Sequence, residues 1–176
     1  MSSRRFDPVH ILRRLQAHGV RFVLIGGLAA KAHGSPTLTV DIDVCYARDR
    51  DNLERLAAVL GELGTVLRGA PPDMPFHPDR RTLERGDSFT FTTDHGDLDI
   101  LGTPSGVPGY DELEANAEEA ELDDGLVVKV ASLDDLIRMK RAAGRPKDRV
   151  ELEILGALRD EIDERHARDQ GSNHGV

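Results

Sequence analysis

Apolar positions along the chain change period several times, and each change marks an element. Asp7-Pro8 has the form of an N-cap followed by a first-turn proline. Ile11, Leu12 and Leu15 then share one helical face, and Gly19 ends the run. RFVLIGG (21–27) is a continuous apolar run closing on two glycines, the pattern of a short buried strand. LAAKAH (28–33) predicts a short helix closed by Gly34 and Ser35-Pro36. LTVDIDVCY (38–46) alternates strictly: Leu38, Val40, Ile42, Val44 and Tyr46 share one face, and Thr39, Asp41, Asp43 and Cys45 the other. Asp51 to Leu63 predicts an amphipathic helix through Leu53, Leu56, Leu60 and Leu63.

Residues 68–87, rich in proline and arginine, predict a mobile loop or irregular connection. SFTFTTDHGDLDIL predicts a hairpin: strand 88–93, turn Asp94–Gly96, strand 97–101. Asp111 with Glu114 has the form of a capping box opening an acidic helix. Gly125 precedes the strand LVVKV. Ser132 with Asp135 opens another helix ending near Gly144. Pro146 opens the last helix, with a stripe of Val150, Ile154, Leu155, Leu158 and Ile162. The polar end, residues 166–176, is expected to be a disordered tail. The order α-β-α-β-α-β-β-α-β-α-α implies an α/β (α+β) class. The expected fold is a short mixed sheet flanked by helices, with further helices at the C-terminal end, in one domain over 1–165.

Composition narrows the function. The 176 residues carry a net charge of −9 and no long basic tract, which argues against an extended non-specific nucleic-acid binder but leaves room for a local basic patch. A single cysteine excludes an internal disulfide. Residues 1–7 lack an apolar signal core, and no apolar run approaches the roughly 20 residues that span a bilayer. A soluble, cytoplasmic protein without a membrane partner is expected.

The informative chemistry lies in the second strand. Asp41 and Asp43 stand at i and i+2, so both carboxylates leave one face. Close like charges raise each other's pKa unless a cation intervenes, and oxygen ligands at this spacing suit Mg²⁺ shared with substrate phosphates. A solvated strand face is the competing reading of Asp-x-Asp alone. Gly26-Gly27 lie between strand and helix, where such a turn either cradles phosphate or merely permits a tight bend. In GDLDIL, Asp97 and Asp99 share a polar face; Asp99, deeper in the run, is the expected third carboxylate. Three carboxylates beside a phosphate-binding turn form a two-metal phosphoryl-transfer site.

This constellation, Gly26-Gly27 with Thr39-x-Asp41-x-Asp43 and a later Asp99, resembles the nucleotidyltransferase superfamily related to DNA polymerase beta. The block LDDLIRMKRAAGRPKD (133–148) is similar to the Lys-x-x-Ala-then-basic motif of AbiEii-like nucleotidyltransferases, the toxins of type IV toxin–antitoxin systems. The resemblance runs from about residue 20 to residue 160. It implies the nucleotidyltransferase fold and transfer of a nucleoside monophosphate from an NTP, such as ATP, to an acceptor hydroxyl, releasing pyrophosphate. It implies two Mg²⁺ ions, with Mn²⁺ as the alternative, on Asp41, Asp43 and Asp99. Those aspartates and Lys140 would be catalytic; Gly26, Gly27, Thr39, Lys140, Arg145 and Lys147 would bind nucleotide. The implied partners are an RNA or tRNA acceptor and an antitoxin protein. An aminoglycoside-type small acceptor is the competing enzyme reading, and a non-catalytic binding module on the same fold is the third. The chain departs from the superfamily at Leu28, where a Ser or Thr usually helps hold the triphosphate; Ser35 is the alternative hydroxyl.

The lysine also has a reading independent of the family. Leu133, Leu136, Ile137 and Lys140 follow i, i+3, i+4, i+7 spacing, which places Lys140 at the end of a core-facing stripe. Its stem either packs while the ammonium snorkels outward, or the ammonium meets an acidic, phosphate-binding site. Arg138, Arg141, Arg145, Lys147 and Arg149 surround it, and Asp148 either pairs with one of these bases or caps the last helix. Cys45 is read as a small packing residue, His33 as a helix-end histidine with substrate contact as the alternative, and Phe89 and Phe91 as core with a base-stacking platform as the alternative.

Overall fold

The computed structural model describes residues 5–123 and 125–171. In chain order its elements are α1 (Pro8–Ala17), β1 (Phe22–Ile25), α2 (Gly26–Ala32), β2 (Asp41–Tyr46), α3 (Arg50–Glu62), β3 (Val66–Leu67) and α4 (Arg80–Arg85), then β4 (Ser88–Thr93), β5 (Gly96–Leu101), α5 (Tyr110–Asn116), β6 (Glu118–Asp123), β7 (Leu126–Val130), α6 (Leu133–Ala143) and α7 (Asp148–Gly171). The strands form one mixed sheet in the order β3-β4-β5-β2-β1-β7-β6. β2 runs antiparallel to β1 and parallel to β5, while β7 is parallel to β1. Ile42, Val44, Leu98 and Ile100 of the central strands are fully buried, together with Leu12 and Leu15 of α1 and Leu56 and Leu60 of α3. Burial of these side chains, each worth about 1.5–3 kcal/mol, fixes β2 and β5 in place. Among the described residues, no helix is long and apolar enough to cross a membrane.

Local signals set most element ends. Asp7 accepts from the His10 N–H at 3.0 Å, and Ser132 accepts from the Asp135 N–H at 3.2 Å. Gly144 closes α6 in the left-handed region, at φ 62. Elsewhere the structure departs from the expected elements. β2 begins at Asp41 because its ladder to β5 ends at the Asp41–Asp97 pair; Leu38 and Val40 stand outside it, 89% and 76% exposed. Residues 68–87 are not structureless: Asp79 caps α4, which buries Leu83. The acidic helix is only seven residues long and starts from Gly109 with no side-chain cap, while Glu114 pairs with Lys129. The glutamates that follow form β6, whose partly buried Ala120 and Leu122 alternate with exposed acids as it pairs with β7.

The last helix starts at Asp148, not at Pro146, and its inner stripe runs through Leu152, Leu155, Leu158 and Ile162, with Val150 exposed. The segment expected to be disordered from residue 166 is helical as far as Gly171. Ion pairs of i,i+4 spacing, Glu161–Arg165 and Glu164–Arg168, support this polar turn. Residues 172–176 of that expected tail lie outside the described residues.

Candidate active site

Ile42 and Val44 anchor β2 by pointing into the core, so the residues that alternate with them, Asp41 and Asp43, emerge on the opposite face. The parallel neighbour β5 carries the same alternation in register: Asp43 lies beside Asp99 and Asp41 beside Asp97. One carboxylate oxygen from each of Asp41, Asp43 and Asp99 lies within 4.8 Å of the others. Asp97 turns toward Thr92, whose hydroxyl donates to it at 3.0 Å. Thr39 donates to the Asp41 carboxylate and to the Asp41 carbonyl, both at 3.1 Å, and so orients the first aspartate. Burial, then the charges of Asp41 and Asp99, push the Asp43 carboxyl up to about 7, with Lys140 and Arg145 pulling more weakly the other way. Burial also raises Asp99, although a hydrogen bond and the charge of Arg68 offset part of the effect. A metal-free site of this kind holds more negative charge than its surroundings stabilise, and its all-oxygen donor set fits hard divalent cations such as Mg²⁺.

The glycine pair follows from the same crowding. Gly26 has φ +69, and a Cβ there would lie 2.3 Å from Asp43 Oδ2. A Cβ on Gly27 would lie 3.0 Å from the Thr39 hydroxyl oxygen. Side chains at either position would press on the residues that carry or orient the carboxylates. Leu28 packs against the core. Ser35, the alternative hydroxyl, is 6% exposed and lies outside the cavity lining, with its Oγ engaged with Thr37.

A cavity of about 580 Å³ opens in front of the acids. The aspartates, both glycines and Thr39 line it, and so do Lys140, Arg145 and Lys147 from the C-terminal block. Lys140 is 17% exposed; its ammonium pairs with Asp148 at 3.2 Å and with Glu151. Arg145 Nε donates to the other Asp148 oxygen at 2.9 Å. Burial alone would raise the Asp148 carboxyl, but the hydrogen bonds from Arg145 and Lys140 outweigh it and hold the group below its ordinary range. Asp148 therefore ties two bases to the cavity wall. Lys147 is exposed at the rim. The rest of the basic block diverges: Arg138 pairs with Glu112 and Asp135, and Arg141 and Arg149 are exposed away from the lining.

Two features escape the sequence pattern. Arg68, from the proline- and arginine-rich stretch, reaches Asp99, and nothing in its local spacing marks it. Glu151 holds Lys140, a pairing that exists only once α7 packs beside α6. His33, Cys45 and Phe91 are structural: His33 Nε2 lies 2.8 Å from the Ala131 carbonyl oxygen, Cys45 is buried, and Phe91 is fully buried, stacked on Phe89.

A family model described as nucleotidyl transferase AbiEii toxin, type IV TA system, matches residues 10–169. No curated protein matches the chain. Among solved structures, the lincosamide antibiotic adenylyltransferase LnuA, lincomycin-bound, superposes with a TM-score of 0.57 at 14% identity, covering 88% of this chain and 99% of that one. A Thermotoga maritima protein assigned as a nucleotidyltransferase gives 0.53 at 18%, covering 89% and 90%. The complex of ANT(2'')-Ia with adenylyl-2''-tobramycin gives 0.52 at 19%, covering 90% and 96%. At these identities the likeness establishes a shared nucleotidyltransferase fold.

Proposed function

Since this chain belongs to the AbiEii family of nucleotidyl transferase toxins of type IV toxin–antitoxin systems, we propose that it moves a nucleoside monophosphate from an NTP to an acceptor hydroxyl and releases pyrophosphate. The observation that carries this reading is the convergence of Asp41, Asp43 and Asp99 at a cavity that Lys140, Arg145 and Lys147 also line. Asp41 and Asp43 would hold two divalent ions, Mg²⁺ or Mn²⁺, and Asp99 would help to hold the ion nearer the acceptor. When bound, such a pair neutralises triphosphate charge and lowers the pKa of the attacking hydroxyl.

The protein's own groups do the rest. Asp99 accepts the acceptor's proton as its oxygen attacks the α-phosphorus in line with the departing pyrophosphate. Gly26 and Gly27 leave space for the triphosphate. Thr39 acts through Asp41, which it orients. Lys140, Arg145 and Lys147 balance the phosphate charge, Lys140 exchanging part of its pairing with Asp148 and Glu151 for the nucleotide.

The acceptor we favour is an RNA, such as the end of a tRNA, approaching over the exposed bases Arg145 and Lys147 in a soluble, cytoplasmic setting where an antitoxin protein would restrain the enzyme. A second reading has its own support: a net charge of −9 suits a cationic small acceptor of the aminoglycoside kind better than a long polyanion. Incubation with Mg²⁺ and each labelled NTP, ATP included, separates the two when total cellular RNA and a panel of aminoglycosides are offered together. Label in a discrete RNA supports the first reading, and label only in a small molecule the second. Absence of label from both, with Mg-NTP still bound in calorimetry, overturns transfer in favour of a binding module.

A further inference from the structure

Arg68 lies just past β3 at the sheet edge, and its backbone N–H donates to the Thr90 carbonyl at 2.9 Å. From there its side chain crosses β4 to the acidic face of β5. One terminal nitrogen donates to Asp99 Oδ1 at 2.5 Å and to the Phe91 carbonyl at 3.1 Å. Nε lies 3.2 Å from Asp97 Oδ2 but makes no hydrogen bond, although it is buried. A buried donor without an acceptor is costly, so the guanidinium holds its place through Asp99 and the Phe91 carbonyl at the expense of Nε. The register explains why it persists: Asp41 and Asp43 sit beside Asp97 and Asp99, four carboxylates on one patch of sheet. Of the cations that line the cavity, Lys140 and Arg145 are engaged by Asp148 and Glu151, and Lys147 is exposed.

We infer that Arg68 is a built-in counter-cation for Asp99, which a divalent ion must displace before the third carboxylate can serve it. The inference rests on the proposed reading that Asp99 holds metal. Its consequence is ordered loading: among the described residues, an ion on Asp41 and Asp43 meets no competing ion pair, whereas an ion on Asp99 breaks one. Arg68 thereby sets the metal concentration at which the site becomes complete.

Mn²⁺ binding to the whole chain without nucleotide, followed by calorimetry and electron paramagnetic resonance, tests this. Arg68→Gln should tighten the weaker Mn²⁺ site on the order of tenfold, the equivalent of one charge-assisted hydrogen bond. Arg68→Lys, which keeps charge but lacks the fork, should fall between it and the wild type. In an Asp99→Asn background Arg68→Gln should change nothing. Arg80→Gln, which removes the same charge beside Glu54 and Glu84, should also change nothing. Weaker or unchanged Mn²⁺ binding in folded Arg68→Gln, or an equal gain in the Asn background, overturns the inference. If Asp99→Asn alone leaves Mn²⁺ binding intact, the assignment of Asp99 as a ligand fails instead, and the inference falls with it.

Discussion

Asp43 concentrates the electrostatic strain of the site. Its carboxyl titrates near 7 instead of 3.8 because it is buried, and then because Asp41 and Asp99 face it. A folded-state pKa above the unfolded one means that the folded protein takes up a proton between about pH 4 and 7 that the unfolded chain has already lost. The stability this group contributes is thus greatest at acid pH and is lost as pH rises through that window. Thermal melts of metal-free protein from pH 4.5 to 8 should show this decline. Asp43→Asn should flatten it, melt no lower than wild type at pH 8, and abolish nucleotide transfer. A clear drop in its metal-free melting temperature would make Asp43 a structural residue. Lys140 behaves differently. If it contacts the triphosphate as proposed, a charge-assisted contact of about 1.5–3 kcal/mol is lost, and Lys140→Met should lower NTP affinity or turnover roughly 10- to 100-fold. Stem packing alone implies an unchanged melting temperature. The ion pairs with Asp148 and Glu151 imply a lower one, because the substitution leaves Glu151 without its cation. A melt beside the kinetics distinguishes the two.

The decisive element is the strand–turn–helix of β1 and α2, folded against β2. The turn succeeds only because Gly26 accepts a positive φ and leaves the volume that Asp43 fills. Gly26→Ala should lower the melting temperature by roughly 2–8 °C, from a left-handed penalty of about 1–2 kcal/mol. It should also cost more than tenfold in turnover, since the added methyl displaces the carboxylate. Gly27 has no such φ, and its Cβ would meet Thr39 at 3.0 Å, so Gly27→Ala should be milder in stability and act on Asp41 through Thr39. Equal effects at both positions, read by melting and single-turnover assays, would show that the turn matters only for its bend.

At the scale of the whole molecule, a net charge of −9 with Lys140, Arg145 and Lys147 lining one cavity bears on the proposed choice of acceptor. Lys147 stands at the rim without the acidic anchor that Asp148 gives Arg145. If RNA enters there, Lys147→Ala should weaken RNA use and lower the salt slope by about 0.7–0.9 for each phosphate it no longer neutralises, while leaving NTP affinity nearly unchanged. Titration of RNA binding from roughly 50 to 200 mM salt measures this. An unchanged slope would place the acceptor elsewhere.

Period and punctuation along the chain determine the parts: helix starts at Asp7 and Ser132, the strand–glycine–helix unit, the hairpin at 88–101, and the two aspartates on one strand face. These are readable because capping, φ preference and side-chain alternation act over a few residues. The family motif carries the fold in the same way. What only the tertiary structure decided is which parts meet. The parallel pairing of β2 with β5 selects Asp99 over Asp97, because register fixes which carboxylate lies beside Asp43 and lets Thr92 claim the other. The lack of a pairing partner beyond Asp41 releases Leu38 and Val40 from a strand that their alternation implied. Long-range packing brings Arg68 to Asp99, 31 residues away, and Glu151 to Lys140. Such pairings depend on register and layer packing across the sheet, and local spacing holds no record of them.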